Sequence, residues 1–307
     1  MKSSSYTISL TLDETVDLID LETNAIVEGI DVEFKYGKGF VSFNDSHEKG
    51  VNTSLKDNPT SFLLKIDQSN FDVKEVEVYS IFKRVSGNPG DGNSLIFALK
   101  DEKNFLFKHG EKEKIMARVA KIISKFLDIY VKKIGSKFST IVLPSGKSVN
   151  SEFANLLKRI AEKKHSHEFK LYDDVFMKIP VDLIRSLVQY DAGSEYNKWL
   201  HGFSTRKIEE LSTQFDHDLA MMDEKRRGYF TYHMISNPDI RNMISSSLSV
   251  CDSTEYSNAF GPINDQHILM IDDLISRGST IKDAIRNLCN CYHPKSITVL
   301  TLLSKKY

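Results

Sequence analysis

The segment His267-Ile-Leu-Met-Ile-Asp-Asp-Leu-Ile-Ser-Arg-Gly-Ser-Thr280 sets three signals in a row. Ile268 to Ile271 is a short, wholly apolar run, the pattern of a strand buried on both faces of a parallel sheet. Two adjacent carboxylates, Asp272 and Asp273, follow it. Ser276-Arg-Gly-Ser-Thr280 then leads into a helical pattern, Ile281 to Leu288. Small and hydroxyl-bearing residues ahead of a helix leave N–H groups at its positive end, which suits a phosphate. Carboxylates where a parallel strand ends suit sugar hydroxyls or a hydrated Mg²⁺.

In this order the segment resembles the phosphoribosyl-diphosphate (PRPP) loop of the type I phosphoribosyltransferases. That pattern is four apolar residues, two acidic ones, three variable ones and Thr-Gly-x-Thr. The chain keeps each element except the first Thr, where Arg277 stands. The resemblance implies an α/β fold: a Rossmann-type parallel sheet flanked by helices, preceded here by a β-rich N-terminal domain. It implies that Asp272 and Asp273 meet the ribose hydroxyls and Mg²⁺, directly or through water. It implies that Ser276, Arg277, Gly278, Ser279 and Thr280 hold the 5′-phosphate. Ser276 stands where the 6-oxopurine enzymes carry a carboxylate that works on the base, which argues against a hypoxanthine- or guanine-type acceptor.

Working outward, Phe138 to Leu143 reads as a strand, Pro144-Ser-Gly-Lys-Ser148 as a loop, and Asn150 to Ala161 as a helix. The order is similar to the family's first sheet strand and its short pyrophosphate loop. The resemblance makes Ser145, Gly146, Lys147 and Ser148 PRPP contacts, with Lys147 a point charge beside the departing diphosphate. Phe169 to Tyr172 reads as a further strand, Pro180 to Val188 as a short helix and Thr205 to Met222 as a longer one. In the resembling family a flexible loop in this region closes over the site. Lys225, Arg226 and Arg227 are the expected pyrophosphate contacts, with Gly228 as the hinge. Catalysis would then rest on Asp272, Asp273, Lys147 and Arg226. An exposed basic turn at a helix end is the competing reading. Ser296 to Leu303 is the last expected strand, so a base pocket is sought between 170 and 264, in the N-terminal part or in a second subunit.

Residues 1 to 110 read as a β-rich module, and 111 to 307 as the phosphoribosyltransferase-like domain. Tyr6 to Leu12 alternates as a half-buried strand does. Val32 to Tyr36 and Phe40 to Phe43 flank Gly37-Lys-Gly39 as a hairpin. Ser61 to Ile66, Val73 to Phe82 and Ser94 to Leu99 continue the series, with Ser86 to Asn93 a loop. Such spacing suggests a small sandwich or barrel. The acidic cluster Asp13, Glu14, Asp17, Asp20 and Glu22 reads as a solvated face. Lys108 to Lys114 marks the boundary. Beyond it Ile115, Val119, Ile122, Phe126, Ile129 and Ile134 give an amphipathic helix that stops at Gly135.

With 307 residues, 40% hydrophobic and 27% charged, the chain has the composition of a two-domain globular protein. A net charge of −1 leaves no footprint for nucleic acid or an anionic membrane. No apolar run is long enough to span a bilayer, and Met1 to Tyr6 carries no signal-peptide core. Three cysteines make no disulfide framework, which points to a reducing, cytoplasmic setting. Cys289, Cys291 and His293 are spaced too tightly for a zinc knuckle and lack a fourth ligand. His165 and His167 lie in a Lys-rich turn.

The expected function is transfer of ribose 5-phosphate from PRPP to a nitrogenous, small-molecule acceptor, with Mg²⁺ and release of pyrophosphate. A homodimer is what the resemblance implies. The alternative is a non-catalytic PRPP- or nucleotide-binding regulatory protein, and a third reading keeps the fold alone. A PRPP synthetase is set aside, because its halves are both α/β.

Overall fold

The computed structural model describes residues 29–44, 51–52, 59–66, 75–84, 93–101, 104–145, 148–165, 169–190, 195–226, 228–230, 234–237, 239–240, 244, 247–250, 263–275 and 278–305. They fall into two compact units. The first lies within Met1–Asp173, Phe260–Arg277 and His293–Tyr307, the second within Asp174–Ala259 and Gly278–Tyr292. The expected Tyr6–Leu12 strand, the acidic cluster and the Ser86–Gly92 stretch lie outside the described residues.

In the first unit the strands are β1 (Gly29–Lys35), β2 (Lys38–Asn44), β3 (Val51–Asn52), β4 (Thr60–Lys65), β5 (Glu75–Arg84), β6 (Phe105–Phe107), β7 (Phe138–Val142), β8 (Lys170–Tyr172), β11 (His267–Ile275) and β12 (Ser296–Lys305). The helices are α1 (Asn93–Leu99), α2 (Glu111–Ile134) and α3 (Val149–His165). The main sheet runs β5-β12-β11-β7-β8, all parallel. β3 and β4 both pair antiparallel with β5, opposite different lengths of it, so seven strands fill six positions. The fold is therefore α/β, with a mixed, largely parallel sheet flanked by helices.

The described residues before 110 do not form the expected separate sandwich or barrel. β5 pairs along β12 from Thr298↔Glu77 to Lys305↔Arg84, at the heart of the main sheet. Residues on either side of 110 share one unit, and of the described strands before 110 β1, β2 and β6 lie in a separate small sheet. Alternation in a strand says that one face is buried but not which sheet buries it, and that is where the reading failed. Ser94 to Leu99, expected as a strand, is helix α1. Its apolar residues Leu95, Ile96 and Leu99 recur at helical spacing and are all buried. The β1–β2 hairpin turns on Tyr36 (φ 53°) and Gly37 (φ 72°), a pair of left-handed residues that matches strand twist. Gly39 belongs to β2.

α2 buries Ile115, Val119, Ile122 and Phe126 as expected and ends at Gly135, whose N–H donates to the Val131 carbonyl at 2.8 Å. Ile129 is 41% exposed, and Tyr130 takes its place in the core. The Tyr130 ring stacks on Phe126 at 5.2 Å and meets the edge of Phe138 at 5.0 Å. With Leu269, Ile271 and Leu300 these residues, α1 and α3 form one apolar cluster on a single face of the sheet. Each fully buried large apolar side chain there contributes about 1.5–3 kcal/mol.

The second unit holds β9 (Phe176–Lys178), α4 (Val181–Ile184) with a π-helical continuation Arg185–Tyr190, α5 (Glu195–Leu200), α6 (Thr205–Arg226), β10 (Leu248–Val250) and α7 (Ser279–Cys291). Phe215, Leu219 and Met222 of α6 anchor its core. Asp283 of α7 is buried and accepts from Ser247 N–H (2.5 Å), Ser247 Oγ (2.8 Å) and Leu248 N–H (3.1 Å), which ties α7 to β10. Among the described residues no helix is long and apolar enough to cross a membrane.

Candidate functional site

The chain leaves β7 outward to β8, but leaves β11 the other way, to β12. Adjacent parallel strands whose connections diverge leave a crevice at their carboxyl ends, where ligands of open α/β sheets bind. β7 and β11 are that pair. Asp272 and Asp273 sit at the mouth of the crevice. They lie within β11 rather than after it, since the strand continues to Ile275 along β12 while its pairing with β7 ends at Ile271↔Val142.

Local hydrogen bonding explains why the two strands part. The last rung is the Leu143 N–H donating to the Ile271 carbonyl at 2.9 Å. A continued parallel ladder would bring the Asp273 N–H to the Leu143 carbonyl. Instead the buried Asn150, at the start of α3, donates its Nδ2 to the Leu143 carbonyl (2.8 Å) and to Asp272 Oδ1 (3.3 Å). Asp272 Oδ1 in turn accepts from the Asp273 N–H at 2.9 Å. One amide and one carboxylate thus replace a rung and wedge the sheet open. Both acceptors fix the orientation of the Asn150 amide, and its Oδ1 has no donor among the described residues.

Successive strand residues point to opposite faces. Leu269 and Ile271 join the cluster under α1, α2 and α3, so Asp273 faces that side. There it meets Lys100, just past the end of α1, in an ion pair between Nζ and Oδ2. The side chains are 16% and 9% exposed. Lys100 is held by its N–H to the Ile96 carbonyl (3.0 Å), and Asp101 beyond it is left-handed (φ 51°), which stops the helix. Asp272 and Asp273 are 8% and 7% exposed. Burial, and then the neighbouring Asp273 charge, push the Asp272 carboxyl up to about 7, against the opposing pull of Asn150 and Lys100. Nearby, Ser148 Oγ donates to Glu152, whose carboxyl is raised by burial. The Lys112 ammonium, lowered by burial, lies within Coulombic reach of Glu152.

Of the residues expected at the site, the structure brings together Asp272 and Asp273, with Ser145 and Ser148 on the β7–α3 connection in the same unit. Gly146, Lys147, Ser276, Arg277 and Arg227 lie outside the described residues, as do the side chains of Lys225 and Arg226. Gly278, Ser279 and Thr280 open α7 and belong to the second unit, as does the helix α6 that carries Lys225 and Arg226. Gly228, the expected hinge, is described. It lies just past α6 with φ 77°, its carbonyl accepts from the Val181 N–H at 2.7 Å, and Tyr229 bridges to Pro180. A left-handed glycine after a helix is the ordinary C-terminal stop.

The expected Mg²⁺ fits poorly as an ion bound directly by this pair. Asp272 Oδ1 already accepts twice, and Asp273 already holds an ammonium. Among the described residues no three His, Cys, Asp or Glu side chains gather to hold a metal, Cys289, Cys291 and His293 included.

Sequence reading missed Asn150 and Lys100. Asn150 carried a signal, an amide side chain at a helix start directly after a strand and loop. Lys100 carried none, because its segment was read as a strand in another module. No family model, no curated protein and no solved structure matches the chain.

Proposed function

We propose that the crevice between β7 and β11 binds the ribose of PRPP and that the chain transfers its ribose 5-phosphate to a nitrogen acceptor. The observation that carries this reading is the acidic pair Asp272/Asp273, set where the ladder opens at the diverging strands. Carboxylates accept strongly from a vicinal diol, and Asn150 Oδ1 adds an acceptor beside them. The resemblance to the PRPP loop is what assigns the 5′-phosphate to the N–H groups and hydroxyls of Ser276 to Thr280. In the reaction the C1′–O bond breaks and its electron pair leaves with pyrophosphate. The acceptor nitrogen supplies the pair for the new C1′–N bond and gives its proton to solvent. The chain's work is positioning and charge stabilisation, with Lys147 and Arg226 assigned to the leaving diphosphate. Mg²⁺ arriving on that diphosphate is part of the substrate.

A regulatory, binding-only reading draws on one observation. Both carboxylates are nearly buried and already engaged, by Asn150 and by Lys100. Calorimetric titration of PRPP into wild type and into Asp272→Asn/Asp273→Asn tests the binding. Saturable binding that the double variant loses supports the site; a folded wild type that binds nothing overturns it. Pyrophosphate release across a panel of nitrogen bases then separates transfer from sensing.

A further inference from the structure

We propose that Lys100 is the built-in cation of the acidic pair, standing where a divalent ion would otherwise sit and positioning Asp273 toward the ligand. The proposal rests on the PRPP reading only for the identity of the ligand; its cation arm stands without it.

Three features carry it. First, the ammonium is paired with Asp273 Oδ2, and both side chains are largely withdrawn from water. A carboxylate at such depth needs a counter-charge. Second, Lys100 is held by the fold rather than by its own flexible stem. Leu95, Ile96 and Leu99 anchor α1 in the core, the Lys100 N–H donates to Ile96, and the left-handed Asp101 ends the helix at that point. Third, the pair is poorly built for a metal. Asp272 spends Oδ1 on Asn150 and on the Asp273 N–H, so Asp273 is the carboxylate a cation would meet first, and Lys100 has it. Also on the helices packed against this face are the buried Arg118 of α2 and the pair Lys112 of α2 and Glu152 of α3, which act on each other.

A fixed ammonium does two things that a bound Mg²⁺ would do. It orients Asp273 as an acceptor, and it puts positive charge beside an anionic ligand. It does so without a six-coordinate shell of oxygens. Lys100 is thus a positioning residue acting through Asp273.

The experiment uses the full chain and compares wild type, Lys100→Met, Lys100→Arg, Asp273→Asn and Lys100→Met/Asp273→Asn. Thermal unfolding is followed with MgCl₂ alone, against NaCl at matched ionic strength. PRPP binding is measured calorimetrically with Mg²⁺ and with EDTA. Wild type is expected to show no Mg²⁺-specific rise in Tm. Lys100→Met is expected to gain one, and the double variant to lose it again. PRPP affinity should fall at least tenfold in Lys100→Met and recover in part in Lys100→Arg, which keeps the charge.

A Mg²⁺-specific rise in wild type that Asp273→Asn abolishes would overturn the proposal, because the cation position would then be open with Lys100 present. A folded Lys100→Met with no Mg²⁺ response would overturn it too. If Lys100→Met does not fold, the wild-type and Lys100→Arg titrations against Asp273→Asn still decide. Absence of PRPP binding in wild type, with the Mg²⁺ responses as expected, sinks the PRPP reading and leaves the role of Lys100 standing.

Discussion

Asp272→Asn should make the protein more stable above neutral pH while removing an acceptor from its own candidate site. The substitution keeps the shape of the side chain. An Asn Oδ1 can accept from the Asp273 N–H and from Asn150 as the carboxylate does, at the 2.9 and 3.3 Å now seen. What goes is the buried charge. The Asp272 carboxyl is raised from 3.8 to about 7, chiefly by burial and then by Asp273. A carboxyl raised on folding binds its proton more tightly in the folded state. Its contribution to stability is whole below the unfolded value and is lost as pH rises through the folded one. At about 1.4 kcal/mol per pH unit, the full loss is on the order of 4 kcal/mol, and about 3 kcal/mol of it falls between pH 5 and pH 8.5. Urea unfolding of wild type and Asp272→Asn at those two pH values reads it directly. The wild-type midpoint should drop relative to the variant as pH rises, with equal m-values. Parallel pH profiles, or a variant less stable at pH 8.5, would refute the reasoning.

Asn150→Ala strips the donor from the Leu143 carbonyl and from Asp272, and should cost about 2 kcal/mol in chemical denaturation. A cost near zero would mean that the rung simply re-forms. Asp283→Ala leaves the Ser247 and Leu248 N–H groups without their acceptor inside the second unit, and a loss of about 3 kcal/mol is expected by thermal unfolding. Lys147→Ala and Arg226→Ala should each lower pyrophosphate release by about a hundredfold while PRPP binding measured calorimetrically changes far less; equal losses in both would assign these residues to binding alone.

The helix–strand rhythm from residue 111 onward was legible because its periods are local. Ile115 to Phe126 repeats at helical spacing, Phe138 to Val142 is unbroken and apolar, and both form the elements they suggest. The acidic pair was legible too, since a motif keeps its order along the chain. What local pattern cannot carry is pairing partner. β5 reads as a strand of any β module, and only its register with Thr298 to Lys305 makes it part of the parallel sheet. Ile129 fitted the apolar stripe of α2 but stands 41% exposed, because Tyr130 and Phe126 fill that volume by stacking. Lys100 and Asn150 reach Asp273 and Asp272 from 173 and 122 positions away in the chain, beyond the reach of any window on the sequence.

The position of β12 between β5 and β11 also bears on how the molecule is made. β5 leaves the ribosome early, yet its parallel partner is synthesised only after the whole second unit and β11. Until then, among the described strands, β5 has β3 and β4 on one side, and the edge that β12 will take is an unpaired template. The nascent chain therefore carries an exposed β edge through much of its synthesis, and closing the sheet waits on contacts of long sequence separation. Trigger-type chaperones, low growth temperature and slow translation should raise the yield of native protein by shielding that edge.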